Sequence, residues 1–133
     1  MDIDYSSPCE MIFSMDSYIT EAIDHFPEEI MHKIKTPAVK HLFKVNSACT
    51  KLCERDNIMF HQLVANLLFL SKRAQSDIQP TTAFLATRVR NPVEDEWKKL
   101  RRVLSYLDAT TNIIKLHLNA NNLKVFHWWV DAA

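Results

Sequence analysis

Cys49 and Cys53 stand four residues apart, with His41 and His61 eight residues to either side. Two thiolates and two imidazoles form a zinc donor set. The spacing lacks the paired knuckles of a structural zinc site, however, and three cysteines in a chain of intracellular composition read as reduced, structural thiols. The six histidines, at 25, 32, 41, 61, 117 and 127, follow no ligand spacing. Asp131 closes the aromatic run Phe126-His127-Trp128-Trp129-Val130, where a carboxylate suits a hard cation such as Mg²⁺. A two-metal nuclease centre needs several converging acids, and the sequence offers Asp131 no partner. The chain contains no glycine, so it has no Gly-rich phosphate cradle and P-loop and dinucleotide sites are excluded. No serine sits in a nucleophile-elbow context.

The stronger signal is cationic. With Lys98 at zero and 100° per residue, Lys98, Lys99, Arg101 and Arg102 fall between about 300° and 100°. Trp97, Leu100, Val103, Leu104 and Leu107 fall between about 140° and 260°. The pattern predicts a helix with one packed face and one solvated basic ridge, which Lys72-Arg73 at the end of the previous helix extend. Such a ridge is either an ordinary solvated surface or a grip on nucleic-acid backbone, where Lys and Arg bind phosphate without reading sequence. Trp97, Trp128 and Trp129 have rings able to stack on bases, but periodicity assigns them more naturally to a core or a buried sheet. The balance of 16 cations and 16 anions hides an asymmetry. Residues 1–33 carry eight carboxylates against Lys33 alone, whereas residues 72–102 carry eight cations against four carboxylates.

The elements that must position these groups follow from pattern and punctuation. The 133 residues suit one domain with a real core. Residues 2–5 and 10–14 flank Ser6-Ser7-Pro8-Cys9 and predict a hairpin. Met15, Tyr18, Ile19, Ala22, Ile23 and Phe26 keep helical spacing until Pro27 stops them. Residues 28–57 are polar and weakly periodic, with Thr36-Pro37 as a breaker, and predict a linker with at most short helical turns. The run from Ile58 to Ala74 is apolar nearly all round and predicts a buried helix. A second helix is expected over 81–90, between Pro80 and Asn91-Pro92, and the basic helix follows with Glu94, Asp95 and Glu96 in its first turn. Residues 113–118 and 123–130 read as strands joined by Asn119-Ala120-Asn121-Asn122. Without glycine, turns of positive φ must use Asn or Asp. The longest apolar stretch, around Leu67 to Leu70, is far short of a membrane span. The first 30 residues, without Lys or Arg, are neither signal nor transit peptide. The expected location is intracellular, cytoplasmic or nuclear, with no membrane partner.

Residues 59–74 followed by Asp77-Ile78-Gln79 resemble the polyprotein of copia-type LTR retrotransposons. So do Ala83-Phe84-Leu85, Thr87-Arg88-Val89, Asn91-Pro92, Trp97-Lys98-Lys99-Leu100, Arg102-Val103-Leu104, Tyr106-Leu107 and Thr110, and the likeness resumes at Trp128-Trp129-Val130-Asp131-Ala132. Upstream, residues 2–13 resemble the late palm hairpin of the reverse transcriptase, and Phe26-Pro27-Glu28, Thr36-Pro37-Ala38 and His41-Leu42-Phe43 the segments after it. The resemblance implies a piece lying between two active sites. Residues 1–34 would be the late palm hairpin and helix, 35–57 the linker, 58–110 a thumb or connection-like helical unit, and 111–133 a hairpin entering a truncated ribonuclease H domain. Asp131 matches the first metal-binding Asp of that nuclease, whose other carboxylates are absent, so Mg²⁺ belongs to the parent enzyme and the fragment itself implies no cofactor. Departures from the family pattern fit decay or truncation. Gln75-Ser76 replaces Arg-Pro, Ala109 replaces a helix-ending glycine, and Cys9 stands at the hairpin glycine.

The expected fold is α+β and mostly helical: an N-terminal β-hairpin, a helix, a linker, a three-helix thumb-like unit and a C-terminal β-hairpin. The expected function is a non-catalytic reverse transcriptase fragment that contacts template–primer backbone, RNA–DNA hybrid or DNA, through Lys72, Arg73, Lys98, Lys99, Arg101 and Arg102. Its other partners would be the missing palm and ribonuclease H portions of the polyprotein. The alternative is a protein-interaction or decayed structural fragment that docks through the exposed aromatic strand and binds no nucleic acid. Nuclease activity centred on Asp131 is the least favoured reading.

Overall fold

A computed structural model describes residues 1–30, 34–46 and 48–120. The elements are β1 (Asp2–Asp4), β2 (Glu10–Ser14), α1 (Asp16–Asp24), α2 (Glu54–Ser71), a single 3₁₀ turn (Ser76–Ile78), α3 (Gln79–Ala86), α4 (Glu94–Thr110) and β3 (Leu116–Asn119). The fold is therefore α+β and mostly helical.

The N-terminal hairpin forms as its pattern predicts, with Ile3 opposite Phe13. Its turn places Cys9 at φ 67°, the left-handed region that disfavours a Cβ, so the glycine-free chain does not reserve such sites for Asn or Asp. Asn112, at φ 66° just after α4, does follow that expectation. Residues 113–118 were expected to pair with 123–130. The strand begins at Leu116 and pairs antiparallel with β2, Ile12 facing His117, giving the order β1-β2-β3 among the described residues. The second strand of the C-terminal hairpin, residues 123–130, lies outside the described residues. β2 thus accepts a partner on each edge, and the described chain's two ends meet in one sheet.

The helical unit follows its hydrophobic spacing, with shifted ends. α2 starts at Glu54, four residues before the apolar run, because Cys53 is extended, its carbonyl takes the Asn57 N–H at 2.9 Å, and Glu54 and Asp56 sit at the positive end of the helix dipole. Nor is α2 buried all round. Phe60, Leu63, Val64, Leu67 and Leu70 face the core while Ile58 and Phe69 are exposed. α3 opens on Gln79 with Pro80 next, whose missing N–H costs nothing in a first turn, and stops at Ala86 rather than Arg90, where the Thr87 hydroxyl donates to the Phe84 carbonyl. α4 runs through Ala109, the position of the expected helix-ending glycine, to Thr110.

Leu100, Val103, Leu104 and Leu107 of α4 meet the buried stripe of α2, with Ile19 of α1, Ile78 and Leu85 completing the core. Glu96 is wholly buried and occupied: its carboxylate accepts the Val93 N–H at 2.8 Å and Arg88 Nε at 3.3 Å, closing the start of α4. At the other end of α4 the Tyr106 hydroxyl donates to Asp77, and Gln75 Nε2 donates to the Ile114 carbonyl at 3.0 Å.

The expected linker is largely irregular but not free. The Leu52 N–H donates to the Pro92 carbonyl and the Glu94 N–H to the Thr50 carbonyl, stitching its end to the start of α4. Its 34–46 stretch, hereafter the strap, is anchored by buried Leu42 and by Phe43 edge-on to Phe84.

Candidate nucleic-acid interface

The expected solvated ridge on α4 is overturned for three of its four cations, because Glu28, Glu29 and the strap contact the polar side of the helix. Lys98 alone is exposed. Lys99, at the border of the polar arc, is only 8% exposed. Its Nζ lies 2.8 Å from Asp95 Oδ2, donates to the Lys44 carbonyl at 2.7 Å, and sits 4.8 Å over the Phe84 ring. Arg101 pairs with Glu28 at 3.2 Å and donates from Nε and Nη2 to the Glu29 carbonyl at 3.0 and 2.7 Å. Arg102 Nη2 donates to Thr36 Oγ1 at 3.0 Å, while its Nε–H is shielded from solvent with no acceptor among the described residues. A helical wheel identifies the side that faces away from the core but not the segment laid over that side.

Lys72 and Arg73 are both exposed, and the Arg73 guanidinium lies 3.8 Å over the Phe69 ring, a cation–π contact beside α1. The 3₁₀ turn that follows α2 meets α4 through the Tyr106–Asp77 bond.

The strap and α4 enclose a cleft of about 680 Å³. Lys98, Lys99, Arg102 and Asp95 line it from the helix, and His41, Lys44 and Val45 from the strap. Four cations against one carboxylate give the lining a positive field, and the partly buried walls strengthen it relative to bulk water. The helical spacing names three of these cations. His41 and Lys44 come from the segment read as linker, where the signal was present but faint: Leu42-Phe43 is an apolar pair between polar neighbours.

Trp97 is a core residue and not a stacking platform. Its ring lies 5.1 Å from Phe26 and its Nε1 donates to Glu28 Oε1 at 2.6 Å. Trp128, Trp129 and Asp131 lie outside the described residues. Cys9, Cys49 and Cys53 are free thiols, and among the described residues no three His, Cys, Asp or Glu side chains converge as a metal site. Among them, too, no helix is long and apolar enough to cross a membrane. Set against known proteins, the chain matches no family model, no curated protein and no solved structure.

Proposed function

We propose that this chain is a fragment of a copia-type reverse transcriptase polyprotein, from the late palm hairpin through the thumb and connection to the start of ribonuclease H, which holds template–primer backbone and performs no catalytic step by itself. The observation that carries the reading is the cationic cleft, where Lys44, Lys98 and Arg102 face one space with a single carboxylate, Asp95. Phosphate oxygens suit such a group, and the contact would be independent of base sequence. Of the six cations named from the sequence, Lys98 and Arg102 carry the role, Lys72 and Arg73 supply a further exposed contact, Lys99 holds the strap and Arg101 holds Glu28 and Glu29. Mg²⁺ belongs to the parent enzyme's active sites.

The test is binding of labelled RNA–DNA hybrid across a salt series. Log affinity is expected to fall linearly with log salt, by about 0.7–0.9 for each phosphate neutralised. Lys98→Glu with Arg102→Glu is expected to flatten that slope. A folded protein that binds no nucleic acid at low salt would refute the reading. A second reading, protein docking without nucleic acid, is favoured by the apolar end of the sheet, where Tyr5 is 72% and Leu118 50% exposed beside a cleft of about 400 Å³.

A further inference from the structure

Resting on that backbone-binding reading, we infer that the cleft between the strap and α4 selects single-stranded nucleic acid over duplex. Arg102 and Lys98 would hold phosphate, with His41 and Val45 against a base or sugar.

Four observations converge on this. The first is an unmet donor: Arg102 Nε–H is shielded from water without an acceptor among the described residues, although the neighbouring Nη2 is bonded to Thr36. Arg102 lines the cleft, so a small shift of the strap that opens this N–H would present it to an anionic oxygen, of which phosphate carries several. The second is charge. Lys99 is already neutralised by Asp95 at 2.8 Å, whereas neither Lys44 nor Lys98 has a carboxylate partner among the described residues. Those two exposed lysines stand at the rim and Arg102 within, so a chain of phosphates entering the cleft meets cations at more than one depth.

The third is the mixed lining. Val45 is 41% exposed, and the imidazole of exposed His41 offers a flat ring on the same wall. A phosphate-only site has no use for such groups, whereas unstacked bases pack on histidine rings and apolar side chains. The fourth is size. A volume of about 680 Å³ falls in the range of small-ligand sites and accommodates a nucleotide unit. A duplex keeps its bases stacked and paired, so it can set phosphates against Lys98 and Arg102 but cannot bring a base to His41.

The experiment uses the full chain and fluorescence anisotropy with two labelled probes, a 12-nucleotide oligo(dT) and a 12-base-pair RNA–DNA hybrid, at one low salt concentration. The single strand is expected to bind at least about tenfold more tightly. Val45→Asp, which puts a carboxylate into the cleft from an exposed position, and His41→Ala are each expected to weaken the single strand about fivefold or more while leaving the hybrid within about twofold. Arg102→Lys, which keeps the charge and removes the unmet Nε–H, is expected to lose part of the single-strand preference. Equal or tighter hybrid binding, or indifference to Val45→Asp and His41→Ala in variants with unaltered circular dichroism, overturns this inference and leaves the backbone reading standing. Binding of neither probe overturns both.

Discussion

The helical unit and the terminal sheet are held by different physics. α2, the 3₁₀ turn, α3 and α4 each contribute side chains with no exposed surface to one core, among them Phe60, Ile78, Leu85 and Leu104. In the sheet, all three residues of β1 are exposed, and of β3 only Leu116 is half-buried. Backbone ladders and surface pairs, such as His117 Nδ1 at 2.9 Å from Glu10 Oε1, hold it together. Hydrophobic burial scales with apolar area removed from water, whereas exposed hydrogen bonds exchange with solvent for little net gain. The contrast indicates that global stability resides in the helices and that the sheet can open locally at low cost.

Truncation should separate the two regions most widely. Leu104→Ala removes a fully buried side chain facing α2 and is expected to cost about 2–5 kcal/mol. Leu118→Ala in β3 should change stability by less than about 0.5 kcal/mol. Urea denaturation curves for both variants measure this directly, and similar midpoint shifts would dissolve the distinction. Glu96→Gln comes next. It keeps the shape but removes the charge that Arg88 and the Val93 N–H address, with an expected loss of about 1.5–3 kcal/mol.

Tyr106 sharpens the comparison through pH. Burial, and then the hydrogen bond and charge of Asp77, push its phenol from an ordinary value of 10.0 up to about 12. The folded state thus favours the protonated phenol, so its stabilisation is full below pH 10 and is lost as pH rises from about 10 to about 12. Tyr106→Phe should lose about 1 kcal/mol at neutral pH and decline less steeply above pH 10. Parallel alkaline unfolding curves for the two proteins would remove Tyr106 from that role.

The smallest effect lies in the sheet. Cys9→Gly relieves a side chain held at φ 67° but enlarges the unfolded ensemble, for a net stabilisation of about 0.5 kcal/mol. The diagnostic readout is hydrogen exchange at the Glu10 and Ala120 amides, which donate to Ser7 and Cys9 around this turn. Slower exchange there with unchanged protection in α2 is expected. Equal slowing in both regions would mean that sheet and helices open as one unit.

Local and periodic features were open to reading because they depend on neighbours in sequence. The 3.6-residue spacing of Leu100, Val103, Leu104 and Leu107 identifies the core face of α4, Pro80 marks the start of α3, and Pro8 with its flanking residues marks the hairpin. The basic cluster was equally visible, and Lys98 and Arg102 do line a cationic cleft. Other features required contacts between distant positions. Pairing of β3 with β2 joins residues more than 100 apart, and nothing in either strand's alternation names its partner. The strap lies over α4 because Leu42 finds a buried site, Arg102 meets the Thr36 hydroxyl and Lys99 meets the Lys44 carbonyl.

That division has a physical basis. Sequence alone determined which residues leave water, since burial follows hydrophobicity and helical period. Which polar groups then meet was decided only in the tertiary structure. A charged side chain on the outer face of a helix is satisfied equally well by solvent, a carboxylate or a carbonyl, and the path of the rest of the chain makes the choice.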